Sequence, residues 1–403
     1  MSNNVKVSYD FLPVEIVTDI LLRLPTKAII TCICVCKTWK SIIQNPTFVP
    51  DHLNLSIKSN NNLILLRLCS KQGREVYALH NDDDDDFTKH TTLAFPFQGP
   101  HVELFNGVFR VVGTCNGLVC FSNDLLTSLH RFFLWNPCVR KYLRLPYPNF
   151  TKRTHEFDEF IGFGFDPKTN DYKVVRVMSY TDILGIKMDR PEVEVYSLAT
   201  GEWRMVTTAL PPICTLIICT LTRVTAHGSL VDQKIREPQA FVNGAFHWLA
   251  FRMTDDQKYY PFVLVFDLGD EVFREILLPE LPGHESLLKK EGASLFVYGN
   301  SIALFEKGSQ NIWVMKEYGV ASSWTKVLTI AYQGREEGIP RAIGFRRNGE
   351  VVWALDEGQL ASQDFESQEM KDLRITSYKY TFVDSYVESL LFLDKATNSA
   401  IAY

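Results

Sequence analysis

Two hydrophobic periods divide the chain near residue 55. At the start, Leu12, Ile16, Ile20 and Leu24 return at every fourth position, the spacing that lines side chains along one face of an α-helix. Pro13 suits a helix start because its missing N–H is not needed there, and Glu15 sits where the helix dipole favours a carboxylate. Pro25 ends this helix, and Thr26 is placed to cap a second in which Ile29, Ile30 and Ile33 keep the helical spacing. Val35, Trp39, Ile42 and Ile43 predict a third short helix that stops before Pro46. A head of about forty residues cannot bury this much apolar surface within itself. Part of it must face either the following domain or a separate partner.

From about residue 60 the pattern becomes that of β-structure, and two phrases alternate. One is an apolar strand broken by a tight turn, as in Val112–Cys120 around Asn116-Gly117, Phe241–Trp248 around Asn243-Gly244, and Val297–Leu304 around Gly299-Asn300. Such pairs supply the positive φ that two-residue hairpins require. The other phrase is a strand, a polar turn and a second strand that ends in an aromatic or an apolar-Pro stop. Leu134-Trp135-Asn136-Pro137 leads to Leu145-Pro146, Val195–Thr200 to Trp203, Val265–Asp270 to Leu278-Pro279, and Ile312–Met315 to Trp324. The units recur every ~40 to 70 residues, the spacing of propeller blades with variable loops. Five fall between Val102 and Ile375, and Leu63–Leu68, Arg74–Leu79 and Tyr378–Leu393 are predicted to share a sixth, composite blade. The fold class expected is mainly β: a small three-helix head followed by a β-propeller-like domain of about six blades.

Both parts resemble a known family. Leu12-Pro13-x-Glu15-Ile16-Val17-x-Asp19-Ile20-Leu21-x-Arg23-Leu24-Pro25, followed by Cys34-Val35-Cys36-Lys37-x-Trp39, resembles an F-box. Gly113–Leu118, Leu134–Pro137, Gly162–Asp166 with Asp171–Arg176, and Ile312–Val320 with Ser323-Trp324 resemble the plant F-box-associated domain, including its immune-regulating and S-locus members. The double-glycine signature of kelch blades is absent. The resemblance implies an F-box domain at residues 8–52 and an F-box-associated, substrate-binding propeller at 60–395. It further implies that Leu12, Pro13, Ile16, Ile20, Leu21, Leu24, Pro25, Val35 and Trp39 dock onto a Skp-type adaptor, which joins a cullin–RING ligase. An as yet unidentified target protein would be held by the body for ubiquitylation and proteasomal degradation. The polar insertions Asp182–Glu192, Thr222–Glu237 and Asp255–Tyr260 are the candidate target loops.

Composition changes this picture little. The net charge is −5 with no long basic run, so no nucleic-acid partner is expected. The opening ten residues lack the layout of an export signal, and the nine cysteines are read as free thiols in a reducing, cytoplasmic or nuclear compartment. Ile213–Leu221, read as a buried strand, is far short of the ~20 residues a membrane span needs.

Candidate chemistry is sparse. Cys32, Cys34 and Cys36 lack the paired spacing of a zinc site and are read as packing thiols. Asp82–Asp86 has neither the alternation nor the central Gly of a calcium loop and is read as solvated. Gly162-x-Gly164 lies within a strand phrase and has no third glycine, so it is no dinucleotide fingerprint. His247 is read as a strand residue, and no cofactor is expected. The leading reading is a non-catalytic receptor subunit. Two other classes remain open: a propeller enzyme or small-ligand sensor, and a scaffold that binds the adaptor without delivering a target.

Overall fold

The computed structural model describes residues 12–59, 63–72, 74–83, 86–96, 109–123, 131–149, 157–180, 192–207, 214–215, 220–224, 230–234, 239–253, 259–279, 292–330, 340–378 and 381–392. The head holds four helices among these: α1 (Val14–Leu22), α2 (Thr26–Cys32), α3 (Lys37–Ile43) and α4 (Phe48–Lys58). The fourth was not expected. Pro50 reads as a helix breaker, but in the first turn of α4 its missing N–H removes no intrahelical bond. Thr26 also departs from expectation: Pro25 takes the N-cap position of α2, and Thr26 is buried as a helical residue. α3 starts two residues later than its apolar pattern suggests, at a cap formed by the Cys36 Sγ accepting from Trp39 N.

The body is a closed ring of six blades among the described residues, the number the sequence predicted. β1 (Leu63–Cys69), β2 (Glu75–Asn81) and β3 (Lys89–Leu93) belong to a sheet completed by the last strand among the described residues. β4 (Arg110–Cys115), β5 (Leu118–Ser122), β6 (Phe132–Asn136) and β7 (Lys141–Arg144) form the second blade. β8 (Phe157–Asp166), β9 (Asp171–Tyr180), β10 (Glu192–Ser197) and β11 (Glu202–Met205) form the third. β12 (Cys214–Thr215) adds to the fourth blade, and β13 (Thr220–Val224) pairs with β14 (Leu230–Lys234) as a separate hairpin. The stretch read as one strand is therefore split between β12 and β13, and the burial of its side chains lies outside the described residues. The fourth blade itself is β15 (Ala240–Val242), β16 (Ala245–Met253), β17 (Tyr259–Asp267) and β18 (Val272–Leu277). β19 (Ala293–Tyr298), β20 (Ser301–Glu306), β21 (Asn311–Met315) and β22 (Trp324–Thr329) make the fifth. β23 (Arg341–Phe345), β24 (Val351–Ala354), β25 (Gln359–Gln363) and β26 (Met370–Thr376) make the sixth. β27 (Phe382–Tyr386) then pairs antiparallel with β1, Leu63 opposite Tyr386 and Arg67 opposite Phe382. The composite blade predicted from the sequence is formed, and the inner strands β27, β4, β8, β15, β19 and β23 touch in turn around the axis.

The inner strands of the blades are covered on both faces, so most read as continuous apolar runs, whereas outer strands such as β3 and β26 are largely exposed. Leu63 and Leu65 of β1 pack with Tyr77, Phe121 and Trp135 towards the second blade. Ile64 and Leu66 point the other way, to Ile343, Val352 and Leu360 of the sixth. The alternation of successive side chains across a strand thus shares β1 between two neighbours. The stops of the second phrase also find a cause. The indole N–H of Trp203 in β11 donates to Pro146 O at 2.9 Å, and that of Trp324 in β22 to Leu277 O at 3.0 Å. The outer strand of one blade thereby clamps the exit of the blade before it.

Crowding near the axis explains the glycine pair. A Cβ at Gly162 would lie 2.7 Å from the Phe246 ring, and one at Gly164 2.5 Å from Phe241, so both positions admit the next blade's aromatics. Asn116 and Gly117 have φ of 50° and 81°, the turn chemistry expected of the pair. Asp82 corrects the reading of the aspartate run. It is buried, and its carboxylate accepts from Arg346 Nε at 2.9 Å and Arg347 N at 2.8 Å, tying the composite blade to the sixth.

His247, on β16, is buried between Ala240 O at 3.1 Å and the Tyr318 hydroxyl at 2.8 Å. A carbonyl only accepts, so Nδ1 carries the proton and Nε2 accepts from Tyr318. Burial lowers the imidazole pKa to about 4. Between pH 6.5 and 4 the unfolded chain binds the proton and the folded chain does not, so this group removes stability as pH falls through that window, by about 3 kcal/mol in all. Urea unfolding of the wild type and of His247→Gln across this range should show a shallower acid limb in the variant. Parallel limbs would contradict the assignment.

Candidate functional site

The head divides its apolar residues between an interior and an open face. Leu21, Ile29, Ile43 and Phe48 form its core, with Leu390 from the segment after β27 and Val139 from the β6–β7 turn. His52 closes the interior by donating Nε2–H to Leu24 O at 2.9 Å. Outside it, Leu12 just ahead of α1 and Ile16 and Ile20 on α1 stand 46–50% exposed, with Val14 at 52% and Val35 at 60%. Pro13 and Pro25 are also exposed, whereas Leu24 and Trp39 are half-buried against the core. Leu21 departs from the expected docking set, being 1% exposed inside the head. Val14 was missed because it falls off the four-residue spacing; its exposure shows only in the fold. The cysteine run separates as well: Cys32 packs on the core, Cys34 is exposed and Cys36 caps α3, so the reading of all three as packing thiols holds for Cys32 alone.

The head is seated on the propeller by the chain's last described segment. Asn136, at the end of β6, donates Nδ2–H to Ser389 O at 3.0 Å and Leu391 O at 2.9 Å, and its Oδ1 accepts from Cys138 N at 2.9 Å. These bonds hold Leu390 in the head's core. A domain boundary at residue 52 falls inside α4, whose far end reaches the ring.

A cavity of about 260 Å3 opens where α4 meets the central channel, lined by Ser56 and Ile57 above and by Thr114, Gln239, Phe241 and Asp384 below. Gln239 Nε2 donates to Phe163 O at 2.6 Å, and the Thr114 hydroxyl donates to Asp384 Oδ2 at 2.7 Å. Burial raises the Asp384 carboxyl pKa to about 6.

The antiparallel order of the strands sets the opposite face. Turns β4–β5, β6–β7 and β23–β24 lie at the head's end of the ring, so the β9–β10, β11–β15 and β16–β17 connections leave from the other end. These connections carry the three polar insertions singled out in the sequence; of Asp182–Glu192 only Glu192 is described, of Asp255–Tyr260 only Tyr259 and Tyr260, and of Thr222–Glu237 residues 222–224 and 230–234, which lie in β13 and β14.

A six-bladed propeller joined to a small helical head is the class of protein this geometry defines. The F-box associated beta propeller domain family matches residues 76–391, and the F-box domain matches residues 10–50. The chain belongs to the F-box associated beta propeller domain family. Among curated Arabidopsis thaliana proteins it is similar to F-box protein At3g07870, 29% identical over 87% of this chain and 82% of the relative. It is also similar to F-box/kelch-repeat protein At3g23880, 28% identical over 79% of each. F-box protein CPR1 is 26% identical over 95% of this chain and 89% of the relative. No helix among the described residues is long and apolar enough to cross a membrane.

Proposed function

We propose that this chain is the substrate-recognition subunit of a Skp–cullin–F-box ubiquitin ligase. The observation that carries the reading is the apolar stripe of Leu12, Ile16 and Ile20, left open to solvent on a head whose other side is sealed against the propeller. Exposed apolar surface of this kind marks a protein-binding face. The occupant we assign is a Skp-type adaptor, through which a cullin–RING assembly is reached, with Pro13, Pro25 and Val35 extending the contact and Leu24 and Trp39 at its inner edge. The propeller face away from the head would hold the target protein. The chain's own part in ubiquitin transfer is then proximity: it turns a bimolecular encounter into a near-intramolecular one and performs no bond chemistry itself. Cytoplasm and nucleus are the compartments this role requires. The test is size-exclusion chromatography of the full chain with a purified Skp-type adaptor and cullin. Co-elution of all three supports the reading, and elution of the chain alone refutes it.

A further inference from the structure

We propose that the cavity between α4 and the central channel is a binding site for a small organic cation, an ammonium or guanidinium carried on an apolar body.

The fold pairs four buried carboxylates with cations. Glu159 and Glu194 are both paired with Arg176, at 2.6 and 2.8 Å. Asp166 is paired with Lys173 at 2.7 Å, and Asp82 with Arg346 at 2.9 Å. Asp384, half-buried on the cavity wall, has the Thr114 hydroxyl and its neighbour Ser385 N as partners, and no ion pair among the described residues. Asp171 and Glu306 are buried without a cation, but neither lines this cavity. A carboxylate partly withdrawn from water and without an ion pair is stabilised by a cation beside it.

The cavity supplies the rest of the recognition. Phe241, Val297 and Ile57 add apolar and aromatic surface to the lining. The other charged lining residue, Arg347, is exposed at the rim, where solvent screens its charge. At about 260 Å3 the space lies just below the ~300 Å3 at which drug-sized sites begin, so it admits a metabolite-sized molecule rather than a peptide. Since Ser56 and Ile57 belong to the head and the remaining walls to the propeller, an occupant touches both units. Ligand binding would therefore stiffen the placement of the head on the ring, a property separate from adaptor docking on α1.

The experiment uses the full chain with phenethylamine and butylguanidine as probes. Hydrocinnamate, which carries a carboxylate in place of the ammonium, is the control. Both cations should raise the melting temperature with concentration, and calorimetry should show their affinity falling at least about tenfold in Asp384→Asn, which loses a charge-assisted contact. Ile57→Trp fills the cavity from the exposed end of α4 without touching Asp384, and should abolish binding while leaving the strand-dominated circular dichroism unchanged. No stabilisation by either cation, an equal response to hydrocinnamate, or full affinity in Ile57→Trp would overturn the proposal. Should Asp384→Asn fail to fold, the Ile57 variant and the hydrocinnamate comparison decide it.

Discussion

Truncation ahead of Phe382 is expected to abolish the propeller. The missing segment holds more than one strand of one blade. Phe382 and Tyr386 belong to the cluster between the composite and second blades, Val383 to the cluster between the sixth and the composite, and Leu390 to the head's core. At about 1.5–3 kcal/mol for each large apolar side chain returned to water, losing these four with Phe392 removes on the order of 10 kcal/mol. That is comparable to the whole stability of a typical folded chain. Removing β27 also leaves the edge of β1 unpaired and opens the ring between β23 and β4, two free edges that invite association. A chain ending at Tyr378 should therefore show no cooperative thermal transition and should aggregate. Melting unchanged from the wild type would refute ring closure by the last strand.

The second large effect is on adaptor affinity. Ile16→Asp with Ile20→Asp places two charges on side chains that are 46% and 47% exposed, so the fold should tolerate them. Against a docked adaptor the same charges are desolvated without partners, and affinity should fall by 100-fold or more. Leu12→Ala with Pro13→Ala removes less and should cost about 2 kcal/mol. Leu21→Ala is the informative control. It empties a site in the head's interior and should lower the melting temperature, whereas the stripe variants should not. Calorimetric titration with the adaptor, alongside melting curves, separates the two classes. Wild-type affinity in the double aspartate variant would remove the stripe from the docking face.

What could be read from the chain, and what could not, follows the range of the forces involved. Helical spacing in residues 12–43 and the Asn-Gly turns are local, and both appear in the fold as expected. The composite blade was legible because a closed ring demands a partner for β1, and only the end of the chain was left to supply one. α4 was hidden because its apolar residues serve two surfaces: Phe48 and Leu53 are buried on the head's side, while Ile57 faces the channel. No single stripe results, and Pro50 masks the helix further. Asp82 and Asn136 depend on partners more than 250 residues away in sequence, with separations of 264 to Arg346 and 253 to Ser389, which no local pattern announces. The Gly162 and Gly164 pair carried a signal, absence of side chain, whose cause is the adjacent blade.

The junction also redirects the design of functional tests. Cutting the chain at residue 50 would sever α4 and strip the cover from Leu390, so a head deletion confounds folding with docking. Point substitutions on the stripe avoid this. The most direct test of the receptor role is to express the full chain or Ile16→Asp with Ile20→Asp in plant cells with the proteasome inhibited. Ubiquitin conjugates are then quantified on the proteins captured with each. The account predicts that both forms hold the same target proteins, that only the wild type also holds the adaptor and cullin, and that only the wild type carries the targets to conjugation. Equal ubiquitin loading on the proteins held by the two forms would contradict it.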